Sequence, residues 1–144
     1  MQVEIREPAS QAELELYYDL RWRILRKPWT DARAAGRDEH EATAFHLTAW
    51  IKDKLVGTGR IHFNSPEEVQ VRGMAVEEGY AGHGIGSRIL QTLEAHARAK
   101  HARRMVLNAR ESALDFYRKN GFQPVEPAET LFGSIAHWRM QKQL

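Results

Sequence analysis

The chain contains no cysteine among its 144 residues. This absence excludes disulfide frameworks, thiolate metal sites and cysteine nucleophiles, and it is typical of a protein from a reducing compartment. No apolar run approaches the ~20 residues that a helix needs to cross a membrane, and the opening residues MQVEIREPAS contain no apolar core of a signal peptide. We therefore expect a cytoplasmic protein with no membrane partner.

A large excess of charge of one sign is also absent. The 21 Lys and Arg residues are interleaved with 19 Asp and Glu residues, which leaves a formal net charge of +2. This balance permits an anionic ligand but gives no reason to expect a nucleic-acid partner. The length is that of one domain with its own hydrophobic core, so we expect residues 1–144 to form a single domain without a metal.

Hydrophobic periodicity and turn residues predict an α+β fold. Ser10 and Glu13 have the spacing of a capping box, so a helix is expected to begin there. IKDK joins two β-rich runs and predicts a hairpin, whereas the segment 26–41 is polar and is expected to be a loop or a short helix. The predicted strands are 3–6, 42–50, 55–63, 68–76, 104–109 and 134–142, and the predicted helices are 10–25, 85–100 and 111–120. This order predicts a mixed, mostly antiparallel sheet.

A glycine-rich turn lies directly before a predicted helix in the segment GYAGHGIGSRIL, residues 79–90. Such a turn presents free backbone N–H groups at the positive end of the helix dipole, which suits a phosphate. The turn is not a Walker A loop, because Gly86 is followed by Ser87 and Arg88 instead of Lys and Ser or Thr. It is not a dinucleotide fingerprint either, because its glycine spacing is G-x-G-x-G and three antiparallel strands are predicted before it.

Two motifs in this order resemble the GNAT superfamily of acetyl-CoA-dependent N-acetyltransferases. The first is MAVEEGYAGHGIGSRIL, in which Gly84 and Gly86 match the last two positions of the pyrophosphate loop. The second is FYRKNGF, about thirty residues later, where the matching residues are Ala113, Tyr117, Gly121 and Phe122. The resemblance covers roughly residues 3–142, and LRWRIL, LNAR and SIAHWRM are similar to small, single-domain bacterial members.

The resemblance implies a sheet flanked by helices on both faces, with two strands that splay apart to form the CoA cleft. Gly73 lies inside a predicted strand, where a glycine permits the bulge that separates the strands. The family pattern implies that acetyl-CoA is contacted by the end of this strand, the glycine loop, the next strand and the last helix. The corresponding residues are Met74, Ala75, Val76, Ala81, Gly82, His83, Gly84, Ile85, Gly86, Ser87, Asn108 and Tyr117.

The chemistry of acetyl transfer defines further roles. An amine with a pKa of ~10 must lose a proton before it attacks, and a thiolate with a pKa of ~8.5 must gain one as it leaves. The resemblance implies oxyanion donors in the strand backbone near Val76, and it favours Tyr117 as the acid that protonates the thiolate. The alternative for Tyr117 is core packing, because Leu114 and Phe116 on the same helix are apolar.

The sequence departs from the family pattern at two positions. Ala81 occupies a loop position that is usually Arg or Gln, and Gln70 occupies the position of a glutamate base in histone-acetylating members. We rank His137 on the last strand first as the base, because an imidazole accepts a proton near neutral pH, and a water-mediated Glu68 second. His137 has the alternative of a structural histidine on an apolar strand.

Three residues are candidates for contacts to the acceptor, namely Arg21, Trp29 and Arg72. Arg21 lies on an apolar helix stripe, so it is either an ion-paired scaffold residue or a clamp for an acceptor carboxylate. The resulting hypothesis is an N-acetyltransferase that moves an acetyl group directly from acetyl-CoA to a primary amine of a small molecule or peptide, in a ternary complex. The alternative is a catalytically silent acyl-CoA-binding domain. Either a monomer or a homodimer is compatible with the sequence.

Overall fold

The structure is a computed structural model that describes residues 2–27, 30–32, 37–131 and 133–144. In this part of the chain, seven strands and three α-helices are formed. The strands are β1 (Glu4–Arg6), β2 (Phe45–Ile51), β3 (Lys54–Ser65), β4 (Glu68–Val76), β5 (Arg104–Arg110), β6 (Gln123–Leu131) and β7 (Ile135–Gln143). The helices are α1 (Gln11–Leu25), α2 (Ile85–Ala99) and α3 (Leu114–Lys119), and a 3₁₀ turn at Glu111–Ala113 precedes α3.

The seven strands form one sheet in the order β1-β2-β3-β4-β5-β7-β6. Every neighbouring pair is antiparallel except β4 and β5, which run parallel. The parallel pair arises because α2 connects β4 to β5 as a crossover, whereas short turns join β2 to β3 and β3 to β4. The predicted mixed, mostly antiparallel sheet is confirmed.

One strand, β6, was missing from the sequence prediction. Gln123–Leu131 pairs with β7 at the edge of the sheet, and most of its side chains are exposed. Pro124 and Pro127 lie within it, and proline is confined to edge strands and irregular positions because it cannot donate a ladder hydrogen bond. The pairing register indeed shifts beside both prolines. An exposed, proline-containing strand lacks the alternating apolar pattern on which the prediction depended.

Helices cover both faces of the sheet, as expected. On one face, Tyr17 and Leu20 of α1 pack against Trp50. On the other face, α2 packs on the strand residues that alternate with these, including Leu47 and Ala49. The predicted cap at Ser10 also forms, because its hydroxyl accepts a hydrogen bond from the Glu13 N–H at 3.1 Å, while the Glu13 carboxylate accepts one from the Ala9 N–H. In the described part of the chain, no helix is both long and apolar enough to span a bilayer.

The helix α2 lies unusually close to the sheet. A Cβ added to Gly59 would lie 2.6 Å from both Ile89 Cγ2 and Met74 Sδ, so a larger residue there would push the helix away. Gly57 allows a similar approach to Ile85 and Ile89. This contact places the N-terminus of α2 directly beside the end of β4.

The strands β4 and β5 separate after a short paired segment. Their pairing covers only Glu68–Gln70 and Arg104–Val106. Beyond it, β4 contains a bulge, since β3 advances two residues from Thr58 to Arg60 while β4 advances three from Arg72 to Ala75. Gly73 lies in this bulge with φ +66°, a left-handed conformation that favours glycine. The expected splay at Gly73 is therefore present.

Candidate active site

The first cavity, which we call the donor cavity, lies between the end of β4 and the start of α2. Its volume is about 400 Å³. It is lined by residues 74–76 of β4, the glycine loop, the first turn of α2, and Ala113, Phe116 and Tyr117. Of the loop residues expected to contact CoA, Ala81 and Gly82 line this cavity, whereas His83 does not.

The glycine loop presents the N-terminus of α2 to the donor cavity. Gly84 is the N-cap residue with φ +77° and ψ +9°, and no side chain caps the helix. Among the described residues, no acceptor pairs with the backbone N–H groups of residues 85–87, as is normal for the first turn of a helix. A Cβ at Gly84 would have no neighbour within 4 Å, so the loop faces open space. The arrangement suits an anion that approaches from outside.

Close packing brings α3 against the same helix start. A Cβ at Gly86 would lie 3.0 Å from Phe116 Cζ, which shows how tightly the two helices meet. The ring of the next residue, Tyr117, packs edge-on against Phe116 and Phe122, with centroids 5.0 and 5.8 Å away. These contacts hold Tyr117 at the inner end of the donor cavity.

A second cavity, which we call the acceptor cavity, occupies the gap where β4 and β5 diverge. Its volume is about 360 Å³. It is lined by residues 25–26 at the end of α1, 70–74 of β4, 107–110 of β5, and parts of α3, β6 and β7. Met74, Ala113 and Tyr117 line both cavities, so the two cavities meet at these three residues.

Tyr117 is buried at this junction. Among the described residues its hydroxyl forms no hydrogen bond, and Tyr117 lines both cavities, so the group is available to a ligand. Burial raises the pKa of Tyr117 well above the usual phenol value, and the positive charge of Arg110 offsets only part of this effect. The phenol therefore keeps its proton at neutral pH, as a proton donor must.

His137 is 7% exposed and lines the acceptor cavity. Its Nδ1 atom lies 2.9 Å from the carbonyl oxygen of Ile135. Because a carbonyl only accepts hydrogen bonds, Nδ1 carries the proton, and Nε2 of the neutral ring holds the lone pair. The geometry orients His137 as a proton acceptor through Nε2.

Glu68, the second candidate for the base, is not brought to either cavity. Its carboxylate accepts a hydrogen bond from Arg104 at 2.8 Å and another from Asn64 at 2.8 Å. These two bonds, that of Arg104 first, lower the pKa of Glu68. Glu68 lies on the same face of β4 as Gln70, since Asn64 bonds to both side chains. No sequence pattern indicated that the carboxylate is held in an ion pair.

The three candidates for contacts to the acceptor lie in different surroundings. Arg21 donates two hydrogen bonds to Glu41, at 2.9 and 3.1 Å, and lines neither cavity, which corresponds to the scaffold alternative. Arg72 lines the acceptor cavity. Trp29 lies outside the described residues. Asn108, expected to contact the cofactor, instead lines the acceptor cavity and not the donor cavity.

A buried charge network lies beside the acceptor cavity. Arg60 is fully buried and donates to both Asp38 and Glu41, which anchors the segment 37–41 to the sheet. Burial raises the pKa of Asp38, but the hydrogen bond from Arg60 and the backbone N–H of His40 outweigh it, and the pKa falls to about 2. Arg72 lies 3.3 Å from the same carboxylate. Sequence reasoning missed this network because its members come from separate segments without a common spacing.

Two charged residues of the acceptor cavity, Arg26 and Arg110, were not assigned to the acceptor from the sequence. Arg26 directly follows α1 and Arg110 ends β5, and the only sequence signal is their position at the end of an element. Within the described residues, no group of three or more His, Asp or Glu side chains is arranged to hold a metal ion.

Comparison with known proteins decides the family. The model of the acetyltransferase (GNAT) family matches residues 14–122. The chain belongs to the GNAT family. A relative, the uncharacterized N-acetyltransferase YjcF of Bacillus subtilis (strain 168), is 30% identical over 105 residues, which cover 73% of this chain and 74% of YjcF. These comparisons confirm the expectation that the protein is an N-acetyltransferase.

Solved GNAT structures share the whole fold. An aminoglycoside 6'-N-acetyltransferase complexed with coenzyme A has a TM-score of 0.81 and 16% identity, over 99% of this chain and 97% of that chain. A GNAT acetyltransferase from Elizabethkingia anophelis with acetyl-CoA bound has a TM-score of 0.80 and 17% identity, over 99% of this chain and 98% of that chain. At these identities the likeness concerns the fold, which agrees with the predicted GNAT architecture.

Proposed function

We propose that this GNAT protein transfers an acetyl group from acetyl-CoA to a primary amine of a small molecule or peptide, by direct attack in a ternary complex. The observation that carries the proposal is the meeting of the donor and acceptor cavities at Tyr117. A thioester that reaches this junction from one side would face an amine held on the other side. Direct transfer requires such an arrangement, because the two reacting groups must be bound at the same time.

The donor cavity supplies the groups that acetyl-CoA needs. The open N–H groups at the start of α2 would bind the pyrophosphate, and the gap between β4 and β5 would admit the pantetheine arm. Solved proteins of the same fold bind CoA or acetyl-CoA, which supports this assignment. Ala81 offers no polar side chain, so the anion would be held mainly by backbone groups.

Two side chains that line the acceptor cavity, His137 and Tyr117, would carry out the proton transfers. The amine nitrogen would attack the thioester carbon while Nε2 of His137 takes the proton that the nitrogen loses. Collapse of the tetrahedral intermediate would break the C–S bond, and the departing thiolate would take the hydroxyl proton of Tyr117. Backbone N–H groups near Val76 are the proposed donors to the oxyanion. Proton exchange with solvent then restores His137 and Tyr117.

Two residues support the second candidate, a catalytically silent acyl-CoA-binding domain. Ala81 and Gln70 replace a side chain expected to contact the pyrophosphate and a glutamate base. Incubation of the protein with acetyl-CoA and a panel of primary amines separates the two candidates. An enzyme releases thiol only when an amine is present and yields an acetylated product by mass spectrometry. Tight acetyl-CoA binding without thiol release for any amine would support the silent domain.

A further inference from the structure

Three arginines converge on the acceptor cavity from three different elements. Arg26 comes from the end of α1, Arg72 from β4 and Arg110 from the end of β5. Glu129 of β6 is the one carboxylate that lines the same cavity among the described residues, and it is exposed. The walls therefore carry three positive charges against one negative charge.

Arg26, the residue that follows α1, forms no hydrogen bond or ion pair with a carboxylate among the described residues, unlike the arginines within the helix. Arg23, three residues earlier, donates to both oxygens of Glu77 at 3.0 and 2.8 Å. Arg26 donates to the backbone carbonyl of Leu25 at 3.2 Å, and no carboxylate pairs with it in the described part of the chain. The residues outside that part, which are 1, 28–29, 33–36 and 132, include no Asp or Glu.

The other two arginines add positive charge near Arg26. Arg110 donates to the same Leu25 carbonyl at 2.5 Å, which brings its guanidinium next to that of Arg26. Arg72 is 3.3 Å from Asp38, but that carboxylate is also bonded to the fully buried Arg60. Burial lowers the pKa of Arg26, and the charges of Arg110 and Arg72 lower it further, whereas the charge of Glu129 offsets only part of this effect. Like charges in a half-buried cavity are costly unless an anion binds between them.

We propose that the amine acceptor of this enzyme carries an anionic group, a carboxylate or a phosphate, which binds to the arginine cluster of Arg26, Arg72 and Arg110. Guanidinium groups present paired N–H donors that match the oxygens of both anions. This inference rests on the proposed function, since it names the substrate class for the same cavity. His137 and Tyr117 line the cavity with the arginines, so one small molecule would place its anion at the cluster and its amine at the thioester.

An anion titration tests the cluster without any turnover. The protein is first saturated with CoA, so that the helix start at residues 85–87 is occupied. Inorganic phosphate and acetate are then added separately while chemical shifts are followed by NMR. We expect saturable binding of at least one anion. Arg26→Gln should weaken it ~10–100-fold, the usual effect of losing a charged hydrogen bond, and Arg72→Gln should also weaken it.

Arg98→Gln is the matched control, because Arg98 is a half-exposed arginine of α2 that lines neither cavity. This variant should bind the anions like the parent protein. Tighter binding of phosphate than of acetate would identify a phosphate-bearing acceptor, and the reverse order a carboxylate. Absence of anion binding in the parent protein, or equal affinity in Arg26→Gln, would overturn the proposal.

Turnover of matched amines distinguishes this inference from the proposed function. Phenylalanine is compared with phenylalaninamide, and glucosamine 6-phosphate with glucosamine, by acetyl-CoA-dependent thiol release. We expect the anionic member of the accepted pair to have at least a tenfold higher kcat/KM, and this advantage to disappear in Arg26→Gln. A preference for the uncharged members would overturn the inference but leave the acetyltransferase intact. Anion binding with no turnover of any amine would instead contradict the proposed function while the anion site remains.

Discussion

The two cavities that meet at Tyr117 are built in different ways. The donor cavity is formed mainly by residues 74–87, a continuous stretch of strand end, glycine loop and helix start. The acceptor cavity draws its walls from residues as distant in sequence as Leu25 and His137. A local stretch can be recognised from its residue pattern, whereas a cavity assembled from distant segments exists only once the sheet has formed.

The two cavities also differ in the charged side chains that line them. In the described part of the chain, no charged side chain lines the donor cavity, so its affinity for an anion depends on backbone N–H groups and the helix dipole. The acceptor cavity instead carries Arg26, Arg72 and Arg110. Under the proposed function, the donor cavity would select its ligand through main-chain geometry, and the acceptor cavity through individual side chains.

Gly84→Asp has the largest expected effect, because it should abolish binding of CoA. The substitution places a carboxylate at the helix start where the pyrophosphate is proposed to lie, and Asp tolerates both the N-cap position and a positive φ. Isothermal titration calorimetry with CoA measures the loss. Gly133→Asp is the matched control, since Gly133 has a similar φ of +72° and equally open surroundings but does not line the donor cavity. Unchanged CoA affinity in Gly84→Asp would show that the backbone loop is not the anion site.

Tyr117→Phe tests the junction between the cavities. The substitution keeps the ring contacts with Phe116 and Phe122 and removes only the hydroxyl. We expect kcat to fall ~10²–10⁴-fold, the usual contribution of a general acid, with little change in the Kd for CoA. Steady-state kinetics and calorimetry on the same preparation provide both values. A kcat within about threefold of the parent would mean that water protonates the thiolate.

His137→Gln tests the acceptor side and should have a smaller effect, since water can partly replace a base. The expected result at neutral pH is a decrease in kcat/KM of ~10-fold or more. Initial rates with acetyl-CoA saturating and the amine varied measure this decrease. A kcat/KM within about threefold of the parent would exclude His137 as the base.

Asp38→Asn concerns the charge network that supports the wall of the acceptor cavity, and its expected effect is on stability. The folded pKa of Asp38, about 2, lies below the ordinary value of ~3.9. The folded protein therefore binds fewer protons than the unfolded chain in this range, so the ion pair contributes its full stability above pH ~4 and loses it as the pH falls towards 2.

We expect Asp38→Asn to lower the free energy of unfolding by about 1–2 kcal/mol at neutral pH. The difference between parent and variant should shrink as the pH falls from about 4 towards 2, because Asp38 of the parent takes up a proton first in the unfolded chain and then in the folded protein. Urea unfolding at several pH values measures both quantities. A difference that does not change with pH would show that Asp38 contributes through packing and not through its charge.

The contrast between the cavities also explains which features could be predicted from the sequence. The bounds of β4, the cap at Ser10 and the bulge at Gly73 depend on local patterns, and all three are present in the structure. The strand β6 has no such pattern because it is an exposed edge with two prolines.

Ion pairing could not be predicted from the sequence. Glu68 is held by Arg104, which is 36 residues away, and neither spacing nor strand alternation indicates this partner. The arginine cluster was missed for the same reason, since Arg26, Arg72 and Arg110 are separated by long stretches of chain. Long-range electrostatic partners become visible only after the topology has brought them together.

The central claim is that donor and acceptor cavities meet so that the acetyl group passes directly from thioester to amine. Initial-rate kinetics with both acetyl-CoA and the amine varied tests this most directly. Direct transfer needs both substrates bound at once, so double-reciprocal plots should give intersecting lines, and mass spectrometry of the protein with acetyl-CoA alone should detect no acetyl-enzyme. Parallel lines together with an acetylated protein that passes its acetyl group to the amine would contradict the account.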